Sequence, residues 1–326
     1  MTTLRIAFAG LAHSHPSTDA RNLRALQDRG EDITLIGAYD SDASVLSEFA
    51  DRFAVTATSS LEELAMTGPD LVIATPRSHE VPHTAEILLR NSDAQIFLNK
   101  VVAATDEQLS RLNQAISVAP HRVGTSSVLR FAPAIEDLAK RVRNTDVQAV
   151  RVLAQHDISM FLAPDRKWQD DPSRGGGTLV TVGTHAWEMI DAIFPGAVAD
   201  DDVSGWTRRG SESRSSSEEA AAMTGTFTVQ DGARIPYSIV IGGSPGPEIF
   251  AVDIFTSTEL LRVQLEHPSP GHSLGYAELA RALLSRTSRG LATAPWSSAR
   301  TVVSNTIRTA QALRGVSHIG KSPFDV

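Results

Sequence analysis

Cysteine is missing from all 326 residues. That excludes disulfides, thiolate metal ligands, iron–sulfur clusters and thiol nucleophiles. An excess of positive charge is missing as well: 38 acidic residues outnumber 30 lysines and arginines, for a formal net charge of -8. A negative surface repels phosphate backbones and anionic lipid, so neither nucleic acid nor a membrane is an expected partner. No window approaches the roughly 18 apolar residues of a membrane span. The apolar run at residues 4–9 is too short for a signal-peptide core and reads as a buried strand, so the expected location is the cytoplasm. There is no internal repeat. At roughly 100–200 residues per domain, the length predicts two domains.

Strand and helix signals alternate through the first third of the chain. Short apolar runs at residues 4–9, 33–39, 71–74 and 96–98 predict buried parallel strands. Helical spacing marks residues 17–29, 43–53, 60–65, 82–90 and 105–118. Ser60 with Glu63, and Thr105 with Gln108, have the spacing of capping boxes. The pattern predicts an α/β Rossmann domain, a doubly wound parallel sheet, over residues 1–125. After that, β-rich stretches at 149–155, 224–229, 234–241, 250–255 and 260–264 are interrupted by helical ones at 134–143, 184–193, 274–285 and 297–314. They predict an α+β domain with a mostly antiparallel sheet over residues 126–326. The Ser-, Arg- and Glu-rich stretch 210–219 reads as a solvated loop.

The turn after the first strand is Gly10-Leu11-Ala12-His13-Ser14-His15. Dinucleotide-binding folds carry G-x-G-x-x-G there, and the loop N–H groups and following helix N-terminus receive the pyrophosphate. Only the first glycine is kept; Ala12 and His15 hold the other two places. An ordinary strand-to-helix turn fits the loop as well. Asp40 ends the second strand, where an acidic residue bonds the ribose hydroxyls and repels a 2′-phosphate. It also fits a turn residue leading to a helix cap at Asp42. NAD is the expected cofactor, with NADP left open. His13 and His15 form a His-x-His pair whose one close carboxylate is Asp19. No metal is expected, and the two histidines are expected to face cofactor phosphates or the substrate mouth.

Three further segments follow in order. The third strand ends in Ala74-Thr75-Pro76-Arg77-Ser78-His79, with His83 beyond it, and the fourth ends in Asn99-Lys100-Val101. Later comes Gly175-Gly176-Gly177-Thr178-Leu179-Val180-Thr181-Val182-Gly183-Thr184-His185. Together with Arg130-Phe131-Ala132-Pro133, Trp168 and Asp231-Gly232-Ala233, these resemble the glucose–fructose oxidoreductase / inositol dehydrogenase (Gfo/Idh/MocA) family over nearly the whole chain.

The resemblance implies a function and a site. Lys100 takes the place of the lysine in the family's Glu-Lys-Pro motif, beside the nicotinamide and the reacting carbinol. Its neighbours depart from that motif, since Asn99 and Val101 replace Glu and Pro. His185 takes the place of the general base in Asp-x-Gly-x-His, and Thr181 stands where that motif has Asp. Glu188 is expected to orient His185 across an i,i+3 spacing. The implied catalytic set is Lys100, His185 and Thr181. The implied cofactor set is Gly10, Leu11, Ala12, His13, Ser14, His15, Asp40, Thr75, Pro76, His79, Asn99 and Lys100. Arg130, His156, Trp168, Thr181 and His185 are expected on the substrate side.

The implied activity is NAD(P)-dependent hydride transfer to or from a secondary hydroxyl or ketone of a sugar, cyclitol or related polyol. Two alternatives stay open: an NAD-using lyase or glycosidase that oxidises transiently, and a non-catalytic ligand-binding protein on the same fold. The resemblance also implies a homodimer or homotetramer built through the second-domain sheet.

Overall fold

The computed structural model describes residues 3–210, 213–243, 246–269, 273–287, 290–291 and 293–314. The chain divides into two compact units. One is Met1–Ser126 with Tyr276–Ala299, and the other is Ser127–Gly275 with the segment from Arg300 onward.

The first unit is built on six parallel strands: β1 (Leu4–Leu11), β2 (Ile33–Tyr39), β3 (Thr56–Ala57), β4 (Leu71–Thr75), β5 (Gln95–Asn99) and β6 (Val123–Ser126). They lie in the order β3-β2-β1-β4-β5-β6. Five helices connect them: α1 (His15–Gln27), α2 (Ala43–Phe53), α3 (Leu61–Met66), α4 (Val81–Asn91) and α5 (Asp106–Ile116). Ile6, Ala7, Phe8 and Ala9 are all fully buried. Strands covered on both faces read as unbroken apolar runs, which is why the four inner strands are legible in the sequence. The two edge strands were not expected. β3 is two exposed residues and β6 is four, too short to carry a pattern.

Both predicted caps form. The Glu63 N–H donates to Ser60 Oγ, and its carboxylate accepts from the Ser59 N–H. The Gln108 N–H donates to Thr105 Oγ1, and its side chain accepts from the Ala104 N–H. In each case the returning side chain reaches the residue before the cap. The order of strands reverses direction between β1 and β4, the crevice where open α/β sheets hold ligands.

The second unit holds α6 (Pro133–Val142), β7 (Val147–His156), α7 (Gly177–Thr181), α8 (Gly183–Ile193), β8 (Val198–Ala199), β9 (Ser204–Arg208), β10 (Ala220–Thr228), β11 (Arg234–Gly243), β12 (Glu248–Thr256) and β13 (Leu260–His267). Its seven-stranded sheet runs β13-β12-β7-β11-β10-β8, with β9 also paired to β10. β7 and β11 are parallel; the other neighbours are antiparallel. Alternation is clean on β11, where Ile235, Tyr237, Ile239 and Ile241 are buried while Arg234, Pro236 and Val240 are exposed. The inner face packs on α8, with Trp187 edge-on to Tyr237 at 5.2 Å between ring centres.

The segment 210–219 corrects an expectation. Ser215, Ser217 and Glu218 are buried, not solvated. Asp170 accepts hydrogen bonds from the hydroxyls of Ser215, Ser216 and Ser217 and from the Ser216 N–H. Burial alone would raise the Asp170 pKa, but these donors hold it below the ordinary carboxylate range. A polar composition reads as solvent-facing until a distant carboxylate gathers it.

After the second sheet the chain returns. Helix α9 (Tyr276–Leu283) belongs to the first unit, and α10 (Trp296–Arg314) begins there. The Trp296 indole N–H donates to Asn113 of α5, and the Thr125 N–H donates to the Ala294 carbonyl. The expected division at 125/126 assigns this segment to the second domain, because reading in chain order carries no signal of a return. No described helix is long and apolar enough to cross a membrane.

Candidate functional site

In the first unit, expected cofactor residues lie at the C-terminal ends of β1, β2, β4 and β5. Gly10 has φ +79°, and a Cβ there would lie 2.6 Å from the Pro76 nitrogen. The close approach of two backbones makes this the glycine the loop needs. His15, at the third glycine place, opens α1 and is buried. Its ring meets His13 edge-on at 4.7 Å and Tyr276 of α9 at 5.7 Å. The returning segment therefore gives a large side chain somewhere to pack. Ser14 supplies no side-chain cap to α1.

Asp40 Oδ2 accepts from the Leu11 N–H, and Oδ1 accepts from the Asp42 N–H at 2.8 Å. The carboxylate thus clasps the loop to the end of β2, while Asp42 caps α2 through the Ser44 and Val45 N–H groups. Each oxygen retains a second lone pair for a ribose hydroxyl. His79 lies in the single turn Ser78–Glu80, its Nε2 3.8 Å from the Glu80 carboxylate.

Asn99 Nδ2 donates to Thr75 Oγ1 at 2.9 Å and to Asp19 Oδ2 at 3.0 Å. All three side chains are buried, and Asn99 Oδ1 has no hydrogen-bond partner among the described residues. Burial pushes the Asp19 carboxyl up to about 7, partly offset by the Asn99 bond. The next residue, Lys100, is buried, and the Lys100–Val101 peptide bond is cis. A backbone cradle that a Cβ would fill, a carboxylate at the end of β2 and an orphaned buried amide oxygen fit a dinucleotide. Among the described residues no group of three or more His, Asp or Glu side chains could hold a metal ion.

In the second unit His185 is the third residue of α8. Its Nδ1 lies 2.7 Å from Ser127 Oγ, which also accepts from the Leu129 N–H at 3.2 Å. The ring stacks on His156 at 6.2 Å and 14°, and is tilted against Phe250 at 5.0 Å. His156 Nδ1 donates to the Asp157 carbonyl, and its Nε2 is 3.0 Å from a Glu248 carboxylate oxygen.

Other expected residues are engaged elsewhere. Arg130, expected at the substrate, is gripped by Glu188 and Asp191 of α8. Burial opposes its charge, but the two carboxylates more than offset this and hold its pKa above the ordinary value. Glu188, expected to orient His185, is one arm of that clamp. Thr181 Oγ1 donates to the Gly175 carbonyl at 3.3 Å, inside the fold. Trp168 is buried, and a Cβ on Gly175 would lie 2.3 Å from its carbonyl oxygen. Gly176 and Gly177 have φ +92° and +62°. The glycine triplet is thus a packing device: Gly175 lies against Trp168 and Gln169, Gly176 against Val180 and Gly177 against Ser217.

Residues 4–126 match the family model described as "Oxidoreductase family, NAD-binding Rossmann fold" (GFO_IDH_MocA). The matched domain is an NAD-binding one, and the Gly10 turn, Asp40 and the ends of β4 and β5 lie inside the matched stretch. Among curated proteins, none matches this chain.

Solved structures share the fold over nearly the full length. The gentamicin A biosynthesis protein GenD2, in complex with NAD, is 18% identical with TM-score 0.73, covering 95% of each chain. A myo-inositol dehydrogenase from Corynebacterium glutamicum is 16% identical with TM-score 0.72, covering 96% of each. The WlbA dehydrogenase from Bordetella pertussis, in complex with NADH and UDP-GlcNAcA, is 15% identical with TM-score 0.74, covering 97% of each.

Sequence reasoning did not find the partners that the structure gives Asn99, His185 and His156, which are Asp19, Ser127 and Glu248. Asp19 was weighed only as a metal ligand. Its burial against Asn99, 80 positions away, leaves no local mark. Ser127 and Glu248 likewise meet their histidine partners only through the fold.

Proposed function

We propose that this chain is an NAD-dependent dehydrogenase that moves hydride between its cofactor and a secondary hydroxyl or ketone of a sugar, cyclitol or related polyol. The observation that carries the reading is the mounting of His185: a buried hydroxyl holds Nδ1, so proton transfer falls to Nε2. When bound, the nicotinamide supplies a hydride acceptor or donor. Everything else is supplied by this chain's side chains. Gly10–His15, Asp40, Thr75, Pro76, His79 and Asn99 hold the dinucleotide, and Asp40 favours NAD by repelling a 2′-phosphate. Lys100 hydrogen-bonds the reacting oxygen and stabilises negative charge developing on it. His185 takes the hydroxyl proton during oxidation and returns it during reduction. His156 and Trp168 remain on the substrate side of this reading, with Thr181 and Arg130 acting through the fold.

Lys100→Met tests the assignment. Turnover should fall by about 100-fold or more, while NAD affinity measured by calorimetry stays within about 2-fold of wild type. Equal turnover in the variant removes Lys100 from the reaction. Net NADH formed in proportion to substrate supports a dehydrogenase. Retained NAD that cycles without net NADH supports the lyase or glycosidase alternative.

The chain is further proposed to self-associate through the outward face of the second sheet. Trp206, Ala222, Val240, Leu153 and Ala251 stand opposite one another across five strands of that face, and Phe255 and Leu260 are exposed on it.

A further inference from the structure

We propose that Ser127 is the positioning residue for His185, a role that rests on the reading of His185 as the proton-transfer group. Ser127 precedes the single turn Val128–Phe131 and caps it, since its Oγ accepts from the Leu129 N–H. That bond fixes the hydroxyl oxygen against a backbone that is itself anchored: the Arg130 guanidinium in the same turn is clamped by Glu188 and Asp191 of α8. The turn carrying Ser127 and the helix carrying His185 are therefore tied at two points. The second tie is the 2.7 Å contact from Ser127 Oγ to His185 Nδ1. Both partners are buried, Ser127 at 0% and His185 at 4% exposure. His156 stacks on the ring and Phe250 packs against it at a tilt.

An oxygen fixed in this way can accept from Nδ1–H of His185. A hydroxyl oxygen has two lone pairs, and one receives the Leu129 N–H. The other is assigned to Nδ1–H of His185, the tautomer that puts the basic lone pair on Nε2. During oxidation the substrate O–H bond breaks and an Nε2–H bond forms. The imidazolium keeps Nδ1–H donated to Ser127 throughout, so Ser127 neither gains nor loses a proton. In the reverse direction the same Nε2–H returns to the oxygen. Ser127 does for this histidine what an orienting carboxylate does in other proton-transfer pairs, without adding a charge.

The test joins a spectroscopic readout to a kinetic one. In wild type, the ring ¹⁵N shifts of His185 should report the Nδ1–H tautomer near neutral pH. Ser127→Ala should abolish that preference and lower kcat by about 10-fold or more, with KM for NAD unchanged. Ser127→Thr should restore both. In a His185→Asn background, Ser127→Ala should cause no further loss of kcat, because residues acting through one another are non-additive. Circular dichroism and thermal melting on each variant separate local effects from loss of fold. A tautomer unchanged in Ser127→Ala overturns the positioning role. A further fall in kcat in the His185→Asn background overturns it too. A lost tautomer with unchanged kcat supports the positioning role and overturns the proton-transfer reading on which it was built.

Discussion

Asp19 is a carboxyl buried in the first unit with an amide as its hydrogen-bond donor. Burial favours its neutral form and pushes its pKa up to about 7. A raised carboxyl pKa stabilises the fold at low pH, and the contribution is lost as pH climbs from the ordinary carboxylate value through 7. At about 1.4 kcal/mol per unit, the loss by pH 8 is on the order of 4 kcal/mol. Asp19→Asn keeps the shape and removes the ionisation. Its urea-unfolding free energy should exceed that of wild type at pH 8 and match it near pH 4. If the two proteins differ by the same amount at both pH values, Asp19 does not titrate across that range. The roles proposed for Lys100 and His185 come from this scale, because their residue types sit in ordered motifs. Asp19, Ser127 and Glu248 were not legible there, because an aspartate, a serine or a glutamate is common anywhere and gains meaning only from what the fold places beside it.

Elements were legible in proportion to their length and burial. Strands β1, β2, β4 and β5 announce themselves as apolar runs, and helices α3 and α5 by their caps. The phosphate loop is a harder case, since two of its three expected glycines are gone. The structure shows which one is indispensable. Gly10 combines a left-handed backbone with a backbone contact that no Cβ permits. Gly10→Ala should raise the Kd for NAD by at least about 10-fold and lower the melting temperature, since a left-handed residue with a Cβ costs about 1–2 kcal/mol before the clash with Pro76. Ala12→Gly, by contrast, should leave NAD affinity equal or tighter. Calorimetry with NAD on both variants checks the pair. Unchanged binding in Gly10→Ala would show that the loop does not need this geometry.

At the scale of the molecule, each unit owns a sheet. The second sheet's outward face carries an apolar row in register, in a chain whose net charge of -8 otherwise keeps copies apart. Exposed apolar surface of this kind is what the proposed self-association would cover. Wild type should sediment as a dimer or tetramer, and Val240→Glu should shift it toward monomer while the melting temperature changes little. A wild-type monomer at all concentrations would remove the proposed self-association.

The residues alone determined the alternation of strand and helix, the parallel character of the first sheet and the dinucleotide class. Those features are written in local periodicity and ordered motifs, where each residue's meaning depends on near neighbours. Tertiary structure decided the rest: the return of 276–299 to the first unit, the burial of a serine-rich loop around Asp170, the Arg130 clamp and the hydroxyl that holds His185. Each joins positions far apart in sequence, and burial turns ordinary polar side chains into partners because an unpaired polar group inside a protein is costly.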